Sequence, residues 1–430
     1  MRRRNHARIV LSLFVWGMLA TGAMPAPAQE IVLRWSTPGL AEEQAAYRAV
    51  ADRFEELHPG IRVETGIGSA RDQLLVWIAA GTPPDLGYST VQDAGEFIRS
   101  GLVEPLDHWI ERDGFDIDDF FPPLLSPYRF NGREFGVGSL YGIPKESAVR
   151  ATYFNVTLFD QAGLVQPPEL ARAGAWTWEA FREAARKITR VRATGEVEQW
   201  GFVRDARFMY QMMWVWANGG NVVDDLLNPT RITLHETAAV EALEFYADMA
   251  LADGSVPAEW TTGSGAATPF VEGKAGLNQD GPWRMANFNA NPNLVYGIVE
   301  SPTGKQRANL LSGSIFFIPV GVAYPELSWE LLKFASSAES QALLAEIAGI
   351  QPARRSLVET FVATNPRVNM RVLLDEVSYA QTLFTSGTMT EIDRVMNQEY
   401  LPRVARGEIS VAAMVEMARP VLESILRETR

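Results

Sequence analysis

IVLRWSTPGLAEEQAAYRAVADRFEELHPGIRVETGI, residues 31–67, changes its hydrophobic period twice. Ile31 to Trp35 is an apolar run of strand length. From Glu42 to His58, Tyr47, Val50, Ala51, Phe54 and Leu57 recur at three- and four-residue spacing, which predicts a helix with one apolar face. His58, Pro59 and Gly60 stop that helix. Ile61, Val63, Thr65 and Ile67 then alternate, which predicts a second strand. Working outward, a helix is expected from Arg71 to Ala80, a Gly-Thr-Pro-Pro turn at 81–84, a strand at Asp85 to Tyr88 and a helix from Asp93 to Ser100. This βαβαβα order predicts a parallel sheet flanked by helices. Ligands on such sheets sit beyond the carboxyl ends of the strands, here Ser36, Thr37 and Pro38 after the first strand and Ser89 and Thr90 after the third.

Further along, SLYGIPKESAVRATYFN (139–155) reads as short strands broken at Pro144 to Ser147. A helix with Thr177 as its N-cap is expected to about Arg190. MYQMMWVWANGG (209–220) is an apolar helix closed by two glycines, and Glu236 to Leu251 is another. LLSGSIFFIPV (310–320) is strand-like, Leu327 to Ala348 reads as one helix, and Pro420 is expected to divide the C-terminal helix.

The first 28 residues carry Arg2, Arg3, Arg4 and Arg8, then an apolar stretch from Ile9 to Ala23, then Ala26-Pro27-Ala28. This is the pattern of a cleavable signal peptide. Its apolar run is shorter than the roughly 20 residues a membrane span needs. The chain contains no cysteine, so disulfides, thiolate metal sites and a cysteine-borne lipid anchor are not expected. A periplasmic protein without a lipid anchor is the expectation. Loss of the signal removes four arginines and no acids, taking the formal charge from −13 to −17. So acidic a chain repels nucleic acid and anionic lipid. Its length exceeds one ordinary core, so two domains are expected.

Enzyme signatures are missing. There is no HExxH and no GxSxG, and the mature chain's three histidines, His58, His108 and His235, are not spaced as metal ligands. Asp118-Asp119 and Asp224-Asp225 lack the alternation of a calcium loop. No metal and no cofactor are expected. A glycosidase needs only two carboxylates, which any acidic chain can supply.

Aromatic residues are the positive signal. Trp35, Tyr141, Tyr210, Trp214, Trp216 and Trp283 lie near segment ends or beside glycine. A flat ring buries the C–H face of a sugar at low entropic cost, while polar side chains bond the hydroxyls. Trp214 and Trp216, two apart on one helix, cannot both face a given cleft. Trp283 follows a Gly281-Pro282 turn, where core is uncommon.

In order and spacing, PPDLGYST (83–90), YGIPKESAVRATYFNVTLFDQAGL (141–164), PPELARAGAWTWEAFREAARKI (167–188), NGG (218–220), FVEGKAGLNQDGPW (270–283) and GIQPARRS (349–356) resemble the extracellular solute-binding proteins of the first, sugar-binding family, the receptors of ABC importers to which maltose-binding protein belongs. The resemblance runs through most of the mature chain. It implies an α/β type II periplasmic-binding fold: two discontinuous lobes, 29–145 with 314–350 and 146–313 with 351–430, with a ligand cleft between them. Crossings are implied near Lys145 to Ala148, Ser312 to Ser314 and Gly349 to Arg354. It also implies ligand contacts at Ser36, Thr37, Pro38, Ser89, Thr90, Glu146, Gly281, Trp283, Gly313, Ser314 and Arg354, to which the aromatic reading adds Tyr210 and Trp214. The Ser-Thr-Pro loop and the Lys145-Glu146 pair depart from the polar residues many members carry there, which leaves the sugar open. The function implied is capture of a sugar by hinge closure and delivery to a membrane permease, by a non-enzymatic monomer. The alternatives are a receptor for another solute, such as a glycerol phosphate or polyol, a secreted carbohydrate-active enzyme, and a periplasmic scaffold.

Overall fold

The computed structural model describes residues 30–38, 41–258, 261–383 and 387–428; the expected signal peptide lies outside them. Strands Ile31–Arg34 and Ile61–Glu64 pair in parallel, Ile31 opposite Ile61. The helix Ala41–Leu57 joins them. The expected alternation of the second strand ends at Glu64, because the glycines 66 and 68 take positive φ and turn the chain into a loop. A parallel bridge from Trp35 to Leu86 extends the sheet. Gly87–Thr90 then pairs antiparallel with Ser314–Phe317, whose other edge takes Ile143–Pro144. A strand from late in the chain therefore lies between two early ones.

Trp35 is fully buried in this body. Tyr47 and Phe316 meet it edge-on at 5.4 and 5.3 Å, so it is core.

A second body is built on a five-stranded mixed sheet in the order Tyr296–Val299, Ala151–Asn155, Ala275–Asp280, Val197–Arg204, Arg190–Val191. Ala275–Asp280 is buried along its whole length, parallel to Val197–Arg204 and antiparallel to Ala151–Asn155. The helix Trp178–Ile188 packs on it, begun by Thr177, whose side chain accepts from the Ala180 amide as its sequence position predicts.

Three chain segments run side by side between the bodies, at 145–150, 309–314 and 350–354. Ala148 and Ser312 exchange backbone hydrogen bonds of 2.9 and 2.7 Å, and Ser147 donates through its backbone to Gln351 and through its hydroxyl to Pro352. The bodies also meet through helices Val91–Arg99 and Gly387–Val395, where Thr390 donates to Asp93 at 3.0 Å.

Two helix expectations are corrected. Residues 327–348 belong to two helices, Pro325–Ala335 and Ala338–Ala348, because the Ser337 hydroxyl caps a new start by accepting from the Ser340 amide. Val411–Glu428 is a single helix despite Pro420, which sits on its exposed face where the freed carbonyl can bond water.

Candidate functional site

The strand Ala275–Asp280 ends at a turn that sets the site. Asp280 Oδ1 accepts from the Gly281 amide at 2.8 Å and from Arg150 Nη1 at 3.3 Å; Oδ2 accepts from Arg284 Nε at 2.9 Å. The short 3-10 turn Pro282–Arg284 then presents Trp283, half-buried, back over Gly281. A Cβ on Gly281 would stand 2.1 Å from the Trp283 ring, so only glycine lets the indole fold over its own turn. Gly281→Ala is therefore expected to push the indole off its seat and weaken ligand binding about tenfold, as loss of part of an aromatic anchor does. Titration of that variant beside the wild type checks this; equal affinities would mean the seat is unimportant.

Arg150 comes from the far end of the first crossing segment and is 2% exposed. Its guanidinium lies 3.3 Å from the centre of the Tyr210 ring and 5.6 Å from that of Trp283. Tyr210 sits in the first turn of helix Phe208–Ala217. Asp393 and Asn397 accept from the amides of Met209 and Phe208 and so satisfy donors that a helix start leaves free. The Tyr210 hydroxyl accepts from Arg207, which is itself forked onto Asp205. Two aromatic rings and a buried, stacked cation thus form one wall.

A second polar cluster belongs to the first body. Lys145 is 1% exposed, donates to the Tyr47 hydroxyl at 2.9 Å, and lies 3.1 Å from Glu146 and 5.3 Å from the Tyr88 ring centre. Burial disfavours its charge, but Glu146 and the two tyrosines outweigh that and hold its pKa above the ordinary value. Burial pushes the Tyr88 phenol up to about 12, so it is a neutral group at ordinary pH. Ser314 donates to Glu146 at 2.5 Å, which joins two crossing segments.

Several expected ligand residues are spent elsewhere. Trp214 is corrected to core: it is 2% exposed, packed among Trp178, Phe181 and Phe245, and its indole N–H donates to Gln279. Trp216 is core as well. Arg354 is corrected to a structural clamp, donating to Ser336 O and Asp119 and stacked on Phe120. Ser36 and Thr37 are fully buried and bonded to neighbouring segments, Gly68 O and the Gly66 amide of the loop after the second strand and Gln44 of the first helix, and the Pro38 carbonyl accepts from Gln44. The Ser89 hydroxyl donates to Thr90 O, while Thr90 is half-buried and donates to Asp93. Gly313 has ordinary room around it. Tyr210, Gly281 and Trp283 converge in one cluster; Glu146 and Ser314 pair in another. The sequence reading missed Arg150, Asp280, Tyr47 and Tyr88. A charged residue inside an apolar motif, as in SAVRATYF and LNQDGPW, was the available signal. Among the described residues no group of three or more His, Asp or Glu is arranged to hold a metal ion.

Behind the Arg150 wall, the Asn309 amide holds the Arg150 backbone from both sides, accepting from its N–H at 3.1 Å and donating to its carbonyl at 2.6 Å. Asn309 also donates to Glu376, a fully buried carboxyl that accepts from the Ser301 amide. Burial pushes the Glu376 pKa up to about 7, against the lowering effect of Tyr379, Asn309 and Ser301. The folded state therefore binds this proton more tightly than the unfolded chain. The stability it contributes is complete below the ordinary carboxyl pKa and is lost as pH rises to about 7. Unfolding free energy is expected to fall by about 3 kcal/mol over that window from this group alone. Urea unfolding at pH 4.5, 6 and 8 checks it: Glu376→Gln should flatten the difference, and identical slopes in the two proteins would contradict it.

The family profile described as bacterial extracellular solute-binding protein matches residues 37–342. A Brucella abortus protein, named only as a binding protein, is 26% identical over 325 residues, 72% of each chain. Among solved structures, an ABC substrate-binding protein of Listeria monocytogenes in complex with cycloalternan superposes with a TM-score of 0.79 at 19% identity, covering 92% of this chain and 98% of that one. Maltose-bound MalE3 of T. maritima gives 0.76 at 22%, covering 92% and 100%. UgpB of Mycobacterium tuberculosis in complex with glycerophosphocholine gives 0.77 at 22%, covering 93% and 99%. At these identities the likeness of the structures establishes the fold, an α/β periplasmic-binding-protein fold.

Proposed function

Because the chain belongs to the bacterial extracellular solute-binding protein family, whose members are receptors rather than enzymes, we propose that it captures a neutral sugar or short oligosaccharide between its two bodies and delivers it to the permease of an ABC importer. The observation that carries this reading is the wall made by Trp283, Tyr210 and Arg150. It pairs aromatic faces for sugar C–H surfaces with fixed hydrogen-bonding groups for hydroxyls. Most charges nearby are paired, Lys145 with Glu146 and Arg207 with Asp205, while Arg150 and Arg284 share Asp280. A phosphate would call for cations left unpaired. Sugars are also the ligands of the Listeria monocytogenes and T. maritima neighbours.

A second reading, a glycerol-phosphate-type ligand, is favoured by one observation. Arg150 and Arg284 share the single carboxylate of Asp280, and so leave one positive charge at the turn. The ligand of UgpB is of this chemistry.

Our reading assigns 29–145 with 314–350 to one lobe and 146–313 with 351–430 to the other. Capture is then hinge closure about the three crossing segments, the motion for which periplasmic binding proteins are the standard instance. A ligand favours the closed form only as far as it binds that form better. On this reading, contacts such as Thr390 to Asp93 and Gln92 to Met209 are ones that closure would form. Export to the periplasm, and action there as a monomer, are part of the same proposal.

Thermal unfolding of the mature protein against mono- and oligosaccharides, polyols and glycerol phosphates tests it. A ligand at about 100 times its Kd adds about 2.7 kcal/mol. A shift with one sugar class supports the first reading; a shift confined to phosphorylated compounds supports the second. Release of reducing ends from any of these sugars would contradict both.

A further inference from the structure

We propose that Asn228 of the second body and Phe135 of the first form a latch that holds the two bodies together part of the time even before a solute arrives, and so sets how long a captured solute stays. This rests on the reading of capture between the bodies. The first body carries a hairpin in which Arg129–Phe130 pairs antiparallel with Ser139–Leu140. Phe135, in the loop between those strands, is 2% exposed. Its ring packs on Phe130 with centroids 4.7 Å apart, and the Arg99 guanidinium lies over it at 5.3 Å. The side chain is thus fixed in the first body. Its backbone groups are taken by the second. Asn228 Oδ1 accepts from the Phe135 N–H at 2.9 Å, and Asn228 Nδ2 donates to the Phe135 carbonyl at 3.1 Å. The side-chain amide, one acceptor beside one donor, takes the place of a neighbouring strand's peptide group.

Asn228 is presented by a loop between helices Phe208–Ala217 and Thr237–Leu251 of the second body. The Asp224-Asp225 pair, which lacks the spacing of a calcium loop, builds that loop instead. Asp224 Oδ1 accepts from the amides of Asp225, Thr230 and Arg231 at 3.1, 2.8 and 2.9 Å. Asp225 Oδ1 accepts from those of Leu227 and Asn228 at 2.8 and 3.0 Å. All these bonds lie within the second body, so Asn228 reaches Phe135 already oriented, and little ordering has to be done at the moment of contact. Beside it Leu227 lies against Gly136, where a Cβ would stand 3.0 Å from Leu227 Cδ1. The seam therefore has two hydrogen bonds and one close apolar contact. Asn228 is half-buried at this seam, so water can replace both bonds when the bodies part. A contact that opens without stranding a buried polar group is cheap to break, which suits a latch rather than a permanent joint. A solute that binds the closed form better draws on the same equilibrium, so a weaker latch appears as weaker binding.

Hydrogen exchange of the mature, ligand-free protein reads the latch directly. The Phe135 N–H is expected to be protected, and Asn228→Ala to speed its exchange about tenfold or more, as loss of two hydrogen bonds requires. The Gly136 N–H, bonded to Arg129 O inside the hairpin, should keep its rate. The chain has no cysteine, so spin labels on Arg62→Cys and Lys187→Cys, both exposed and one on each body, report the distance between the bodies. Asn228→Ala and, more weakly, Leu227→Ala should shift that distribution toward wider separations. Both variants keep Asp224 and Asp225 and with them the shape of the loop. With a solute from the stability screen, Asn228→Ala should shorten the residence time about tenfold and leave the association rate within about twofold. An unprotected Phe135 N–H in the wild type would overturn the latch. So would faster exchange in Asn228→Ala with no change in the distance distribution, or an unchanged residence time, since either would make the contact a local one. Exchange and distance need no ligand, so they still decide the matter where no solute binds and the receptor reading itself fails.

Discussion

Asp280→Ala is expected to lower the unfolding free energy by about 3–5 kcal/mol, the loss seen when one partner of a buried ion pair is removed. The cause is geometric. One carboxylate serves Arg150, Arg284 and the Gly281 amide at 3.3, 2.9 and 2.8 Å, and Arg150 is 2% exposed. Without it, a buried guanidinium keeps, among the described residues, the Gln279 carbonyl at 3.4 Å and the rings of Tyr210 and Trp283. Among the described residues Arg150 Nε already has no hydrogen-bond partner. Asp280→Asn should cost less, because its amide oxygen can still accept from Gly281. Urea unfolding decides the matter: a lowered midpoint at constant slope is expected for both, larger for alanine. A change below about 1 kcal/mol for Asp280→Ala would show that the two arginines find other partners.

Trp283→Ala is expected to cut affinity for the sugar by about a hundredfold, the scale of an aromatic anchor at the centre of a binding surface. The indole is half-buried, stands on its own turn and lies beside the Arg150 guanidinium. Its exposure means the fold depends on it little, so the thermal midpoint of the unliganded protein should move by only a few degrees. Calorimetric titration with the sugar chosen by the stability screen provides the measurement. A loss of less than about threefold would remove Trp283 from the binding surface.

Much of the fold was legible because it rests on local periodicity. The helix Ala41–Leu57, the cap at Thr177 and the turn at Gly281-Pro282 all follow from residues within a few positions of one another. The break at Ser336-Ser337 was missed, although Ser337 is a cap residue, because an apolar pattern continues on both sides of it. The candidate site was less legible. Trp214 and Tyr210 sit on the same helix, and only the packing of Trp178 and Phe245 decides that one is core. Arg150 and Asp280 are 130 residues apart, and nothing in either neighbourhood says that they meet. Pairing of charges across the fold is a tertiary fact, whereas a helix face is a local one.

The position of Ser314–Phe317 between Gly87–Thr90 and Ile143–Pro144 has a kinetic consequence. As the chain emerges from its N-terminus, the first body lacks its middle strand until more than two-thirds of the polypeptide has been made. Until then the early strands have no partner for their inner edges, and the hydrophobic face carrying Trp35 and Tyr47 has no Phe316 to cover it. Such non-local pairing slows folding. Under the proposed export, a precursor threaded unfolded across a membrane would gain from this delay, staying loose until its later half had followed it.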